Sequence, residues 1–477
     1  MHVKPKATMN MENGDAEGQE QAFLLKNSTY GSIVGPFGPL EDRVLEWSPE
    51  KRFGTCDSKG DFAHFVRSRR LVLVFHELSM TGAPISMMEL ATELLSCGAT
   101  ITAVVLSKKG GLMSELARRR IKVIEDRADF SFKTAMKADL VIAGSAVCAS
   151  WTDQYIAHFP AGGSQIAWWI MENRREYFDR SKHVLHRVKM LMFLSELQSK
   201  QWLNWCQEEN IKLRSQPSIV PLAVNDELAF VAGIPCSLNT PLASPEKMIE
   251  KRRLLRDAVR KEMGLKDSDM LVMSLSSINA GKGQLLLLES VNLMIDQDPL
   301  GTGSQVKKTL DIRLDESALA RKHHLRGLVK KSCNADASCT NLVFDSRRKQ
   351  EQAVKILIGS VGSKSNKGVG ETFGRVTVEA MAFGVPVLGT DGGGTKEIVE
   401  QNVSGLFHPM GRAGNWLLAE NLRYMLKNPT ARKQMGKDGR KQVGKRYLKR
   451  HMYGRLVEVL TRCMRRQVAS SRSLIGF

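Results

Sequence analysis

The chain has 477 residues, 42% of them hydrophobic, with 70 Lys and Arg against 50 Asp and Glu and a formal net charge of +20. This length admits about two to four domains, and the apolar content is ordinary for a globular chain. The basic excess favours anionic partners such as nucleotide diphosphates, acidic lipid headgroups or nucleic acid, with a solvated basic surface as the plain alternative.

Residues 1–68 are rich in Gly, Asp, Glu, Ser and Lys with little periodicity, and are expected to be disordered. From residue 69 the pattern changes. Leu71 to Phe75 (LVLVF) and Ile101 to Leu106 read as buried strands around a helix from Ile85 to Ser96, whose Ile85, Met88, Ala91 and Leu95 form one stripe. Further strands at Lys122 to Ile124, Leu140 to Ala143, Ile166 to Ile170 and Leu191 to Leu194 alternate with helices such as Met113 to Arg120. That alternation predicts a doubly wound α/β domain over 69–232. His76 and Glu77 end its first strand, where α/β sites are built, and the turn MTGAP with Gly82 follows.

Gly233 to Pro245 is turn-rich and polar, which predicts a linker over 233–249. A second α/β unit over 250–432 contains the basic helix Lys247 to Met263 at its start, then the strand Met270 to Leu275 and SSINAGKGQ with Lys282. Residues 297–350 lack regular periodicity and read as a basic surface insertion. His323, His324, Cys333 and Cys339 within it fit no standard zinc spacing, and Asp267-Ser268-Asp269 reads as a turn, so no metal is expected. The eight cysteines are scattered without a C-x-x-C pair and read as reduced thiols.

VKILIG, Val354 to Gly359, is a further buried strand. The stretch Gly368 to Val399 then reads as a glycine loop, a helix from Arg375 to Phe383 ended by Gly384, a buried strand Val385 to Gly389, the turn DGGGT and a helix beginning near Lys396. Glycines between a strand and a helix N-terminus let backbone N–H groups and the helix dipole meet a phosphate. Glu371 and Glu379 flank the first of these helices, a pair of carboxylates suited to sugar hydroxyls. Residues 433–477 end in a helix, Tyr447 to Met464, with Tyr453, Leu456, Val457 and Leu460 on one side, expected to pack back on the N-terminal domain. No run reaches the roughly 18 to 20 apolar residues of a membrane helix, and the first residues lack a signal-peptide core. The expectation is a cytoplasmic chain, with Golgi association as the alternative.

The string E-x7-E with FG inside it, then EAMAFGVPV, then GGTKEIV, resembles the donor-binding signature of retaining glycosyltransferases of the GT4 family. Ser218 to Phe230 is similar to the stretch that closes the N-terminal domain in that family, with Ala223 at its usual glycine. SSINAGKGQ is similar to its diphosphate element, with Lys282 at the lysine and Ser277 where arginine is usual. The resemblance implies the GT-B fold: two Rossmann-like doubly wound domains facing a cleft. It implies a nucleotide-sugar donor (UDP- or GDP-linked), no required cofactor, and transfer to an unidentified acceptor: a glycan, a lipid or a small molecule.

By the same resemblance Glu371 holds the donor sugar, Lys282 and the backbone at Phe373 and Gly374 hold the leaving diphosphate, Glu379 holds the ribose, and Gly82, Gly393 and Gly394 border the donor. His76 and Glu172 fall on the acceptor side. A nucleic-acid partner is not expected, whereas the basic surface leaves peripheral membrane contact open. The chain departs from the family between VKILIG and Glu371, where only SVGSKSNKGVG intervenes. About two β/α units of the C-terminal domain are therefore expected to be missing, leaving unpaired strand edges. Two alternatives follow: a catalytically impaired binding or regulatory chain, and a basic nucleic-acid or membrane-surface protein.

Overall fold

The computed structural model describes residues 60–234 except 126–127, 225–227 and 230–231, scattered positions between 246 and 260, and then 271–273, 283–296, 355–358 and 371–472. Ser277, Lys282, the Asp267–Asp269 turn, most of the expected linker and the expected insertion lie outside these residues, as do residues 1–59 of the segment expected to be disordered.

Seven parallel strands form the first sheet: β1 (Arg70–Phe75), β2 (Thr100–Val105), β3 (Lys122–Glu125), β4 (Leu140–Gly144), β5 (Ile166–Trp169), β6 (Met190–Phe193) and β7 (Ser218–Ile219). Their order is β3-β2-β1-β4-β5-β6-β7. Side chains of a strand alternate between faces. Leu71, Leu73 and Phe75 accordingly enter one core and Val72 and Val74 the other, so the apolar run LVLVF is buried on both sides. The chain turns around at β1, which has β2 on one side (Leu71 opposite Ile101) and β4 on the other (Leu71 opposite Leu140). A crevice opens outside the C-terminal ends of strands at such a switch point.

The second sheet has four described strands, β8 (Leu271–Met273), β9 (Lys355–Ile358), β10 (Val387–Thr390) and β11 (Gly405–His408), parallel and in the order β11-β10-β9-β8. Its core joins Leu388 and Leu406 to Leu418, Leu422 and Met425 of the helix Asn415–Lys427, and to Leu286, Val291 and Met294 of the helix Gln284–Asp296. Pro386 precedes β10, so the missing N–H costs the ladder nothing. β9 pairs with β8 through Leu271 opposite Lys355 and with β10 through Leu388 opposite Ile358. β9 is thus paired on both sides, while β8 and β11 each have one described neighbour. From β9 the chain reaches β10 through the helix Arg375–Ala382, which is one whole β-α-β step.

Three local expectations change. Asp61–Val66 is a helix rather than part of a disordered segment, because Ala63 and Val66 enter the core and Phe62 stacks on Tyr453 at 4.6 Å. The last helix runs from Lys449 to Arg472, and its buried stripe uses Val459, not the half-buried Val457. Cys148, Cys206 and Cys463 are free and buried, but Cys97 is disulfide-bonded, a pairing that scattered spacing does not reveal.

Candidate donor site

The loop Glu371–Gly374 and the turn after β10 lock together through backbone. Gly394 N–H donates to the Glu371 carbonyl at 2.7 Å. A Cβ on Gly394 would lie 2.3 Å from the Phe373 carbonyl oxygen, so only glycine permits this approach. Gly393 opens the short helix Gly393–Ile398 beside it. Gly374 caps the helix Arg375–Ala382 at φ 102° and ψ 54°, a left-handed conformation that side chains resist. Phe373 supplies backbone to the loop and an anchor to the core: its ring is buried edge-on to Tyr447, 6.0 Å between centroids.

The first domain meets this loop from the other side. Ser195 Oγ donates to the Thr372 carbonyl at 3.1 Å, and the Glu397 carboxylate accepts from Glu196 N at 3.0 Å and Leu197 N at 2.6 Å. Glu397 thus puts a negative charge on the positive end of the helix Glu196–Glu208 of the opposite domain. Gly82 begins the helix Gly82–Ser96 after β1; Thr81 and Gly82 are exposed, and a Cβ on Gly82 would meet nothing within 4 Å.

Between the two helices lies Arg375, which sequence reasoning missed. Its Nη2 donates to Glu89 of the helix Gly82–Ser96 at 2.6 Å and its Nε to Glu379 at 2.9 Å. Glu379 is thus ion-paired at the domain interface. Burial pushes its carboxyl up, opposed by the charge of Arg375 and its hydrogen bond. For Arg375 burial acts downward, but Glu89 and Glu379 outweigh it and raise the guanidinium's pKa. The available signal was the spacing, since Arg375 and Glu379 lie one helical turn apart.

Beneath this triad is a cavity with room for about one water, lined by Ser86, Glu89, Trp169, Arg375, Lys449 and Tyr453 among others. Trp169 Nε1 is buried beside it without a hydrogen-bond partner, so a single water would satisfy that donor.

His76 and Glu172 stand at the C-terminal ends of β1 and β5, as expected, but they are not brought to the Arg375 triad. His76 Nε2 lies 3.9 Å from Glu77, whose Oε1 accepts from Ser79 Oγ at 2.5 Å. The Glu172 carboxylate accepts from Ala146 N at 2.8 Å and Met171 N at 3.2 Å, tying the end of β4 to that of β5. Its carbonyl accepts from Gln198 and Trp202, both at 3.0 Å. Ser145, beside Ala146, holds φ 102°, a strained non-glycine position at the end of β4 without a sequence signal. No group of three or more His, Cys, Asp and Glu side chains that could hold a metal ion occurs among the described residues, and no described helix is long and apolar enough to cross a membrane.

The family model described as glycosyl-transferase family 4 matches residues 67–237, and that for glycosyl transferases group 1 matches 342–442. No curated relative matches the chain in sequence. Among solved structures, Anabaena HepE in complex with UDP and glucose is 12% identical with a TM-score of 0.57, over 82% of this chain and 99% of that one. A glycosyltransferase from Rickettsia africae is 16% identical with a TM-score of 0.57, over 83% and 99%. Sucrose-phosphate synthase from Thermosynechococcus elongatus is 15% identical with a TM-score of 0.53, over 84% and 100%. At such identities the likeness is one of fold. The chain carries a glycosyl-transferase family 4 domain and a glycosyl transferases group 1 domain, in the GT-B fold.

Proposed function

We propose that this glycosyltransferase transfers a sugar with retention of configuration from a nucleotide-sugar donor, held by the second domain over 250–432, to an acceptor entering from the first domain over 69–232. The linker of this division is 233–249. The observation that carries the donor assignment is the Glu371–Gly374 loop, pinned by Gly394 and held from the first domain by Ser195. In this assignment Glu371 holds the sugar hydroxyls and Glu379 the ribose. Lys282 and the backbone at Phe373 and Gly374 stabilise the leaving diphosphate, whose charge grows as the glycosidic bond breaks. His76 and Glu172 face the acceptor. HepE was solved with UDP and glucose, which makes UDP-glucose the first donor to test.

Titration calorimetry should show UDP-glucose binding, with Glu371→Gln weakening it about tenfold or more through loss of charge-assisted hydrogen bonds to the sugar. UDP alone should bind Glu371→Gln nearly as well as the parent chain. A parent chain that binds neither UDP- nor GDP-sugars would end this assignment.

One feature favours peripheral membrane contact as a second property. Lys433, Lys437, Lys441 and Lys445 recur every fourth residue along the helix Pro429–Arg446 and are all exposed. Such a row suits an anionic bilayer, at about 1 kcal/mol per lysine. Replacing Lys437 and Lys441 by Glu should reduce co-sedimentation with phosphatidylserine vesicles, and equal binding of the parent chain to neutral vesicles would argue against it.

A further inference from the structure

Arg375 carries a role that neither the glycine loops nor the paired glutamates imply. It stands in the first turn of its helix, with Glu379 one turn on and Glu89 on a helix of the other domain. All three side chains are largely shielded from water, with relative exposures of 13% for Arg375, 14% for Glu89 and 23% for Glu379. An exposed ion pair contributes little, but removing one partner of a shielded pair leaves a charge without compensation. A guanidinium spans two carboxylates because its nitrogens form a planar fork, whereas a lysine ammonium is a single point of charge.

The chemistry of the cluster points to its ligand. Two carboxylates share one guanidinium, so the group is rich in acceptors. A diol donates hydrogen bonds to such acceptors without adding charge. The other groups bordering the same cavity are Lys449 and Tyr453 of the helix Lys449–Arg472, Trp169 of β5 and Ser86, whose Oγ lies 3.5 Å from Arg375 Nη1. Burial pushes the Glu379 carboxyl up and the charge of Glu89 adds to this, while the charge and hydrogen bond of Arg375 oppose both.

We propose that Arg375 is a positioning residue for donor binding, one arm of its fork holding the Glu379 carboxylate and another holding Glu89 of the opposite domain, so that the ribose acceptor is set when the two domains meet. The proposal rests on the assignment of Glu379 to the ribose. It makes domain closure and ribose recognition a single event, because the same cation serves both.

The test compares calorimetric affinities for UDP and for its 2′,3′-dideoxy analogue in the full chain and in Arg375→Gln, Arg375→Lys and Glu379→Gln. The parent chain should prefer UDP by about tenfold, the scale of charge-assisted hydrogen bonds to the ribose. Glu379→Gln should lose that preference. Arg375→Gln should lose most of it while binding the dideoxy analogue as the parent does. Arg375→Lys should fall between, and carries the test should Arg375→Gln fail to fold. A loss in Arg375→Gln that is equal for the two nucleotides would mean that Arg375 only supports the fold, and the proposal would fall while the ribose assignment stood. A parent chain indifferent to the ribose hydroxyls would remove the ribose assignment, and the proposal with it.

Discussion

A chain stopped after Leu448 is expected not to fold. The helix Lys449–Arg472 places Met452, Tyr453, Leu456, Val459, Leu460, Cys463 and Met464 in the core of the first domain. Burying one such side chain contributes about 1.5 to 3 kcal/mol, so the set is worth roughly 10 kcal/mol or more. A whole domain is stable by only about 5 to 15 kcal/mol. The stop would also expose the apolar groups that the helix covers, among them Phe62, Leu222 and Ala223. Expression of the truncated chain should give insoluble material. A soluble product with the parent chain's unfolding midpoint would mean that the helix is an accessory.

The second large effect is expected at Gly394→Ala. The added Cβ would sit 2.3 Å from the Phe373 carbonyl oxygen and 2.4 Å from its Cα, both backbone atoms that no rotamer change can move aside. Overpacking of this kind costs typically 1 to 3 kcal/mol. Here relaxation must displace the Glu371–Gly374 loop or break the 2.7 Å hydrogen bond from Gly394 N to the Glu371 carbonyl. The unfolding midpoint should drop, and affinity for UDP-glucose should fall about tenfold or more, since a displacement near 1 Å is costly at a binding centre. Gly82→Ala is the control: its Cβ would enter open space, so stability should stay within about 0.5 kcal/mol. A Gly394→Ala chain with parental stability and affinity would show that the two loops are not locked.

How much of this was legible in the sequence depends on whether the determinant was local. Strands such as LVLVF and MLMF are short apolar runs between turn signals, and both are buried throughout their described pairing. The glycines at Gly374, Gly393 and Gly394 were legible as a loop system because glycine there answers to backbone alone. What was not legible arises between elements distant in sequence. Arg375 meets Glu89 across 286 residues and Glu397 meets Leu197 across 200, and no pattern of spacing announces either contact. Ser145 was missed because its left-handed backbone carries no glycine to mark it. The helix Asp61–Val66 was hidden by polar neighbours, although its Phe62 had a partner in Tyr453. A strand count against the family pattern likewise did not announce that β9 would be paired on both sides, with β8 and β11 each having one described neighbour.

The chain passes between its two halves more than once, and the passages touch. Val224 N donates to the Tyr447 carbonyl at 2.8 Å, and Arg440 Nη2 donates to the Gly233 carbonyl at 2.6 Å. A body held by one strand of polypeptide can swivel and drift, but one held by two adjoining strands is left with bending about the line through them. Were the two halves to part, the joint at Val224 and Tyr447 would be the expected pivot, and the groups of the proposed donor site would approach one another along a path set by that joint.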